Sequence, residues 1–406
     1  MGGRIERYFI PVAIGFAPFA MLLLTWAPEG RTLFQILVLR FQLPIVAVEL
    51  FVIAIAAREG LMAAMRRWSW PLVPTCALLL LLAVAIATAI VAPNPPAARF
   101  WTLLWIVHLL FGFSITHLSR SEEVPRDIIA AYVAGFFVFV IGIFLSAAFV
   151  RDPAFDWVSG WPAVTHIRHF GYYAAAIIGL CIGLGAADRS PLVRTALLLL
   201  STVGFTFVWW TGSRGAIIAI VGALLIGVVV IPAVRRVSVW GGALLGLLVG
   251  ALIANQLPAH GPLMGFSRTV TQTVGSGDVS TGRTVLWLNA LGAIRQRPIF
   301  GYGENQMATV APFYGLGQTH NVVLQILLAW GIVGLICAGV LAVWFLMRSM
   351  AALRDRPTEL APPFIAMAAL TSLATIDGSL FHVIPVSIFA ACAGIFAANW
   401  RSDPSQ

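Results

Sequence analysis

The sequence predicts an all-α polytopic membrane protein of about twelve transmembrane helices, with both termini in the cytoplasm. Of its 406 residues, 60% are hydrophobic and only 10% are charged, and the mean hydropathy is +0.93. Apolar stretches recur along nearly the whole chain, and each can cross a hydrocarbon layer of about 30 Å as a helix. A water-soluble fold cannot bury so much apolar surface. We therefore expect one transmembrane domain, residues 1–406, with lipid as its solvent.

Charged, proline and glycine breaks separate the predicted spans. They lie near residues 8–26, 41–57, 70–92, 98–117, 127–149, 170–187, 192–211, 215–232, 237–255, 320–347, 362–377 and 380–399. All 25 basic residues are arginine, and the positive-inside rule places them mostly on the cytoplasmic side. Every predicted cytoplasmic segment then carries arginine: Arg4, Arg7, Arg58, Arg66, Arg67, Arg120, Arg126, Arg189, Arg194, Arg235, Arg236, Arg348, Arg354, Arg356 and Arg401.

Two predicted connections on the opposite, periplasmic side are long: 151–169, and 256–319 between spans nine and ten. Within the second loop, Arg283 to Ile294 has the pattern of a short amphipathic helix. Its apolar residues are Val285, Leu288, Leu291 and Ile294, with Ser280 or Thr281 as a cap and Pro298 after its end. A helix lying on the membrane surface would show the same pattern. An arginine in its first turn would add to the positive end of the helix dipole, which suits an anion.

Several function classes are disfavoured by the composition. The formal charge of +9 is spread between apolar segments and forms no basic stripe, so we expect no nucleic-acid partner. The cysteines show no metal or disulfide spacing, and no closely spaced carboxylate pair such as DxD occurs. We expect neither a metal nor a cofactor.

Two arginine motifs fall on the predicted periplasmic side. Thr211-Gly212-Ser213-Arg214-Gly215 occupies a short turn, and Gly282-Arg283 opens the predicted amphipathic helix. Arginine at membrane depth needs an anion or water as partner, although it can also extend to the lipid headgroups. Ser213, Arg214 and Arg283 are therefore candidate anion ligands.

Two further motifs follow. Pro298-Ile299-Phe300-Gly301-Tyr302-Gly303-Glu304 is a glycine-rich turn with an aromatic residue and an acid, and Thr319-His320-Asn321 precedes a span that contains Gly331 and Gly334. The glycines fit a simple turn, and a histidine at a helix start is often structural. A neutral imidazole can also serve as a general base for a hydroxyl.

A fifth cluster, His166 to Tyr173, contains His166, Arg168 and His169. Its aromatic and basic side chains suit a sugar or a phosphate, but they also suit an interfacial aromatic belt with polar anchors. We treat His166, Arg168, His169, Tyr302, Glu304 and Asn321 as possible substrate contacts.

These motifs, in this order and on one side of the membrane, resemble the O-antigen ligase and O-antigen polymerase superfamily of bacterial membrane glycosyltransferases. The resemblance rests on Ser213-Arg214-Gly215, Gly282-Arg283, Pro298 to Gly303, and His320-Asn321 with Gly331 and Gly334. It covers the second half of the chain by motif and the first half only by hydropathy.

The resemblance implies a glycan donor carried on undecaprenyl diphosphate in the bacterial inner membrane, with the active site facing the periplasm. It implies that Arg214 and Arg283 bind the diphosphate, that His320 activates the acceptor hydroxyl, and that transfer is metal-independent and inverting. The acceptor would be lipid A core for a ligase, which we favour, or a second lipid-linked glycan for a polymerase. A branch that glycosylates pilin-type proteins ranks below both.

A secondary transporter or lipid flippase is the alternative from another class, since it too has about twelve spans. Such proteins place ionisable residues near the bilayer midplane. The candidates here are few: Arg40, Glu49, His108 and His382. The informative polar residues gather on the predicted periplasmic side instead, which favours the transferase.

Overall fold

The computed structural model is built from helices joined by short loops. It describes residues 2–27, 31–67, 71–120, 123–150, 155–188, 190–258, 264–265, 282–312 and 317–400, and none of these residues forms a strand. The α-helices are, in chain order, α1 Gly2–Thr25, α2 Leu33–Phe41, α3 Leu43–Arg58, α4 Leu61–Arg67, α5 Leu72–Val91, α6 Pro95–Leu118, α7 Glu123–Phe149, α8 His169–Ala187, α9 Pro191–Trp210, α10 Arg214–Val230, α11 Val237–Ala254, α12 Arg283–Gln296, α13 Met307–Val310, α14 Val322–Asp355, α15 Ala361–Ala374 and α16 Val383–Ala398.

The all-α class with many apolar helices is confirmed. In the part of the chain that the structure describes, 8 helices are long and apolar enough to cross a membrane, and α2 with α3 adds a ninth candidate that is bent by 56°. Three shorter apolar helices, α10, α15 and α16, complete the set. Each predicted span falls on one of these helices, while the number that cross the membrane and the location of the termini stay predictions.

Helix α8 is the centre of the bundle. It packs against α7, α9, α10 and α15, and 89% of the residues in its apolar stretch are buried inside the protein. Gly179 and Gly183 lie one turn apart and touch the backbone of α15, since an added Cβ would come within 2.8 Å of Ala366 and 2.3 Å of Pro362. Small residues at this spacing allow membrane helices to approach closely. This packing brings the first turn of α8 beside the loop that follows α15.

Helix α12 confirms the short helix predicted from Arg283 to Ile294, but the apolar face predicted for it is wrong. Val285, Leu288 and Leu291 are exposed, and of the four predicted apolar positions only Ile294 is buried. A strict spacing of three drifts around a helix of 3.6 residues per turn, so these positions do not share a face. The buried face instead contains Leu286, Ala290, Ala293 and Ile294, packed near α14. The N-cap is Gly282; Ser280 and Thr281 lie outside the described residues.

Helix α14 breaks at Gly331, whose φ of 63° and ψ of −163° are not helical. The break leaves backbone amides and carbonyls of α14 without partners inside the helix, and the glycine-rich loop forms hydrogen bonds with them. The amides of Tyr302 and Gly303 donate to the carbonyls of Leu328 and Ala329 at 2.9 and 2.8 Å, and the amide of Ile332 donates to Pro298 at 2.8 Å. Unpaired backbone groups are costly in lipid, so loop and broken helix form one unit.

Candidate functional site

Asp377, in the loop after α15, is the centre of a polar cluster at one end of the bundle. Its carboxylate accepts hydrogen bonds from the Tyr172 hydroxyl at 2.6 Å, from His320 Nδ1 at 2.7 Å and from the Gly378 amide at 2.8 Å. It also forms an ion pair with Arg283. The side chain of Asp377 is 5% exposed. Such a buried charge is tolerated only when it is paired and hydrogen-bonded.

The partners of Asp377 keep it ionised. Burial alone would raise its pKa, but the hydrogen bond from His320 and the positive charge of Arg283 hold that pKa well below its usual range. A carboxylate can only accept hydrogen bonds, so His320 Nδ1 must carry the proton. In the neutral ring Nε2 is then the acceptor nitrogen. Asp377 thus holds His320 in the tautomer that a general base requires.

Three arginines line a small cavity next to this pair. Arg168, Arg214 and Arg283 surround it together with Ser213 and Tyr172, and Asp377 closes one side. The cavity volume is about 20 Å³, which is roughly the room of one water. Arg168 Nε is buried and has no hydrogen-bond partner among the described residues. Guanidinium donors that converge on one space suit a phosphate group.

Local sequence explains how these arginines are presented. Gly212 and Gly282 adopt the left-handed φ values of 66° and 84°, which glycine accepts without strain. Each glycine ends a turn just before a helix, so that Arg214 and Arg283 are the first residues of α10 and α12. The amino-terminal ends of helices carry a partial positive charge, which adds to that of the guanidinium groups.

His320 is positioned by the start of α14. Its backbone is left-handed, with φ of 54°, a conformation that is uncommon for a side chain larger than glycine. Asn321 caps α14 by accepting from the Leu324 amide at 3.0 Å, and its own amide donates to Thr375 at 2.8 Å. Trp287 on α12 donates to the Thr319 carbonyl at 3.0 Å. These bonds join α12, α14 and α15 around the histidine.

The structure separates the predicted site residues into three groups. The arginine cavity is lined by Ser213, Arg214, Arg283 and Arg168. His320 does not line it but bonds to Asp377, which does. His166 and His169 lie nearby, with the His169 ring 3.8 Å from that of His382 and 6.0 Å from that of His166.

The remaining three predicted residues lie outside the arginine cavity. Asn321 acts as the cap described above. Tyr302 is buried under α12, where its hydroxyl donates to Ala293 at 3.2 Å and Arg297 covers its ring. Glu304 faces a second, larger cavity. Substrate contact by any of the predicted residues stays a prediction.

Asp377 and Tyr172 are the site residues that the motifs did not single out. Asp377 is one of few acids on the predicted outer side, where arginines predominate, and a lone acid at the end of an apolar helix is costly without a partner. That imbalance is the signal that could have pointed to it. The partners themselves come from distant parts of the chain and follow only from the packing of α8 against α15.

Among the described residues, no group of three or more histidine, cysteine, aspartate or glutamate side chains is arranged to hold a metal ion. Whether the chemistry is metal-independent stays a prediction.

The geometry can be compared with known families. Residues 195–339 match the family model of the O-Antigen ligase. No curated protein matches the chain at a significant level. The matched segment runs from α9 into α14 and contains Arg214, Arg283 and His320, so the resemblance to the O-antigen ligase and polymerase superfamily is confirmed there. Arg168, Tyr172 and Asp377 lie outside the O-antigen ligase match and join the site through the fold.

Proposed function

We propose that this chain is a membrane glycosyltransferase that moves a glycan from an undecaprenyl-diphosphate donor to an acceptor hydroxyl on the periplasmic side. The observation that carries the proposal is the His320–Asp377 pair beside the cavity of three arginines. The match to the O-antigen ligase family supports an enzyme of this type.

The proposed reaction is a single displacement at the anomeric carbon. His320 Nε2 takes the proton of the acceptor hydroxyl while the acceptor oxygen bonds to the anomeric carbon. The bond from that carbon to the phosphate oxygen breaks, and its electron pair leaves with undecaprenyl diphosphate. Attack opposite the leaving group inverts the anomeric centre.

The arginines supply the electrostatic part of this reaction. Arg168, Arg214 and Arg283 would stabilise the charge that grows on the leaving diphosphate, the role that a metal ion fills elsewhere. The arginine cavity is too small for a diphosphate as it stands, so the side chains must move apart on binding. Arg283 would then exchange part of its contact with Asp377 for the phosphate.

We favour a ligase acting on lipid A core, with a polymerase acting on a second lipid-linked glycan as the other member of the class. The transporter alternative has four candidate residues, and two of them, Glu49 and His108, bond to each other at 2.7 Å inside the helix bundle. Arg40 and His382, its other candidates, line the cavity that Glu304 faces.

The test is the surface-polysaccharide pattern of a host strain that lacks the gene and carries wild type, His320→Ala, Arg214→Ala or Arg283→Ala at equal expression. Arg295→Ala is the matched control, because Arg295 is exposed at the other end of α12. Loss of glycan from the core, with full-length glycan left on undecaprenyl diphosphate, indicates a ligase. A ladder reduced to one repeat on core indicates a polymerase. Wild-type patterns from all three site variants would reject the transferase.

A further inference from the structure

A second cavity, of about 170 Å³, lies near the His320–Asp377 pair. Its lining includes Arg40, Trp101, Glu304, Gln318 and His382. It shares none of its lining residues with the arginine cavity. At about 30 Å³ per water, it has room for a single sugar ring.

The cavity contains buried polar groups that lack partners. Glu304 is 3% exposed; its Oε1 accepts from Gln325 at 3.1 Å, but its Oε2 has no hydrogen-bond partner among the described residues. Gln318 Oε1 is buried and equally unpartnered. Burial raises the pKa of Glu304 to about 7. Buried polar atoms are nearly always hydrogen-bonded, so these two oxygens indicate a ligand that donates.

The backbone around the cavity is irregular in a way that keeps the space open. The bent pair α2 and α3 breaks at Gln42, which has a φ of 48°, and Asn305 has a φ of 56°. Both residues line the cavity. Residues other than glycine with a left-handed backbone concentrate at functional sites.

Two side chains separate this cavity from the catalytic pair. Gln318 lies two residues before His320, and its Oε1 would be 2.5 Å from a Cβ added at Gly378, next to Asp377. His382 stacks near Tyr172, with ring centres 5.3 Å apart, and Tyr172 bonds to Asp377. These two side chains therefore connect the second cavity with the His320–Asp377 pair.

We propose that this cavity binds a sugar of the acceptor glycan, with Glu304 and Gln318 accepting hydrogen bonds from its hydroxyl groups. The Trp101 ring offers an apolar face for the carbon-bound hydrogens of the sugar, and Arg40 donates to its oxygens. The position fits the acceptor because the base must face the acceptor hydroxyl while the arginines face the leaving group. This inference rests on the proposed transferase function.

Glu304→Gln keeps the shape of the side chain but replaces the unpartnered oxygen or its neighbour with an amide donor. The amide nitrogen cannot accept the hydrogen of a sugar hydroxyl, and the loss of one such bond corresponds to about tenfold in affinity. Arg40→Gln is the second variant, because Arg40 is exposed and its loss does not threaten the fold. Arg295→Ala is again the control.

Binding is measured first, by saturation-transfer NMR on the full chain in nanodiscs. The probes are the core and repeat-unit saccharides released by mild acid from the host lipopolysaccharide. The binding signal should fall about tenfold in Glu304→Gln, fall less in Arg40→Gln, and stay unchanged in Arg295→Ala. Equal signals from wild type and Glu304→Gln, with both proteins folded at the temperature of the measurement, would overturn the inference.

Transfer kinetics then distinguish acceptor from donor and separate this inference from the proposed function. In Glu304→Gln the KM for the acceptor should rise about tenfold while the KM for the lipid-linked donor stays unchanged. A rise in donor KM alone would assign the cavity to the donor glycan and reject the acceptor subsite. If no preparation transfers glycan but saccharide binding still depends on Glu304, the subsite stands and the transferase falls.

Discussion

Replacing Asp377 by asparagine should remove most of the activity while leaving the substrates bound. The amide keeps one oxygen, yet its nitrogen must now face one of the donors on Tyr172, His320 or Arg283. If it faces His320, the ring turns to the tautomer in which Nδ1 accepts, and Nε2 carries a proton and cannot act as a base. The change also leaves Arg283 without its negative partner.

The size of the effect follows from the lost base. Positioned general bases contribute about 10²- to 10⁴-fold, or about 3 to 5 kcal/mol in the activation free energy. In serine proteases, the corresponding Asp→Asn change costs about 10⁴-fold by the same tautomer mechanism. We therefore expect kcat to fall by about 10² to 10⁴, with both KM values within about threefold of wild type.

The assay is the initial rate of glycan transfer in nanodiscs, with donor and acceptor varied in turn. Tyr172→Phe is the control, because it removes only one hydrogen bond to Asp377 and should cost about tenfold. A kcat for Asp377→Asn above one tenth of wild type would refute the role of Asp377 in orienting His320.

Stability gives a second readout for the same variant. The folded-state pKa of Asp377 lies below the ordinary value of about 4. The carboxylate therefore stabilises the fold above that pH, and the contribution is lost as the pH falls towards the folded-state pKa. The melting temperatures of wild type and Asp377→Asn should differ at pH 7 and converge on acidification.

Three further predictions concern stability, measured by thermal denaturation in detergent. Gly331→Ala should lower the free energy of unfolding by at least about 1 to 3 kcal/mol, because its φ is left-handed and its Cβ would lie only 2.2 Å from the Ile299 carbonyl oxygen. Gly339→Ala is the control and should cost nothing, because that glycine lies in open space on the same helix. Equal losses of stability would refute the docking of the loop. Glu49→Leu should cost about 1 to 3 kcal/mol, because it leaves His108 buried without its hydrogen-bond partner. Adding His108→Leu should recover most of that loss; a double variant as unstable as the single one contradicts this. Burial raises the pKa of Glu304 to about 7 in the folded protein, so the fold binds the protonated side chain in preference to the ionised one. The free energy of unfolding should therefore fall by about 3 kcal/mol as the pH rises from about 4 to 8. Glu304→Gln should abolish this dependence of stability on pH.

The sequence predicts the helices well because lipid imposes a simple rule on them. Every predicted span coincides with a helix, since each apolar run must satisfy its backbone internally. Ends are less accurate: the span predicted at 320–347 is the helix Val322–Asp355, whose last turns carry charged residues outside the apolar run. The break at Gly331 was also missed, because a single glycine in an apolar run resembles many that stay helical.

The candidate site is predictable only in part. Arg214 and Arg283 could be predicted because arginine near the membrane needs a partner, and His320 because it follows them in the same order of motifs. Asp377, the partner of Arg283 and His320, lies 57 residues beyond His320 in the sequence, and its contact with Tyr172 depends on the packing of α8 against α15. The second cavity was not predicted, because it needs the bend at Gln42 and the loop that carries Glu304 to meet.

The loop docked at Gly331 has a consequence for the biogenesis of the protein. Residues 298–303 leave the ribosome before α14, and under the predicted topology they cross the membrane before α14 inserts. Until they arrive, α14 can cross as an uninterrupted helix, with the carbonyls of Leu328 and Ala329 bonded within it. Capture of the loop exchanges those internal bonds for bonds to Tyr302 and Gly303, so the helix breaks without a net loss of hydrogen bonds. His320, just before α14, can bond to Asp377 only after the chain has been synthesised beyond α15.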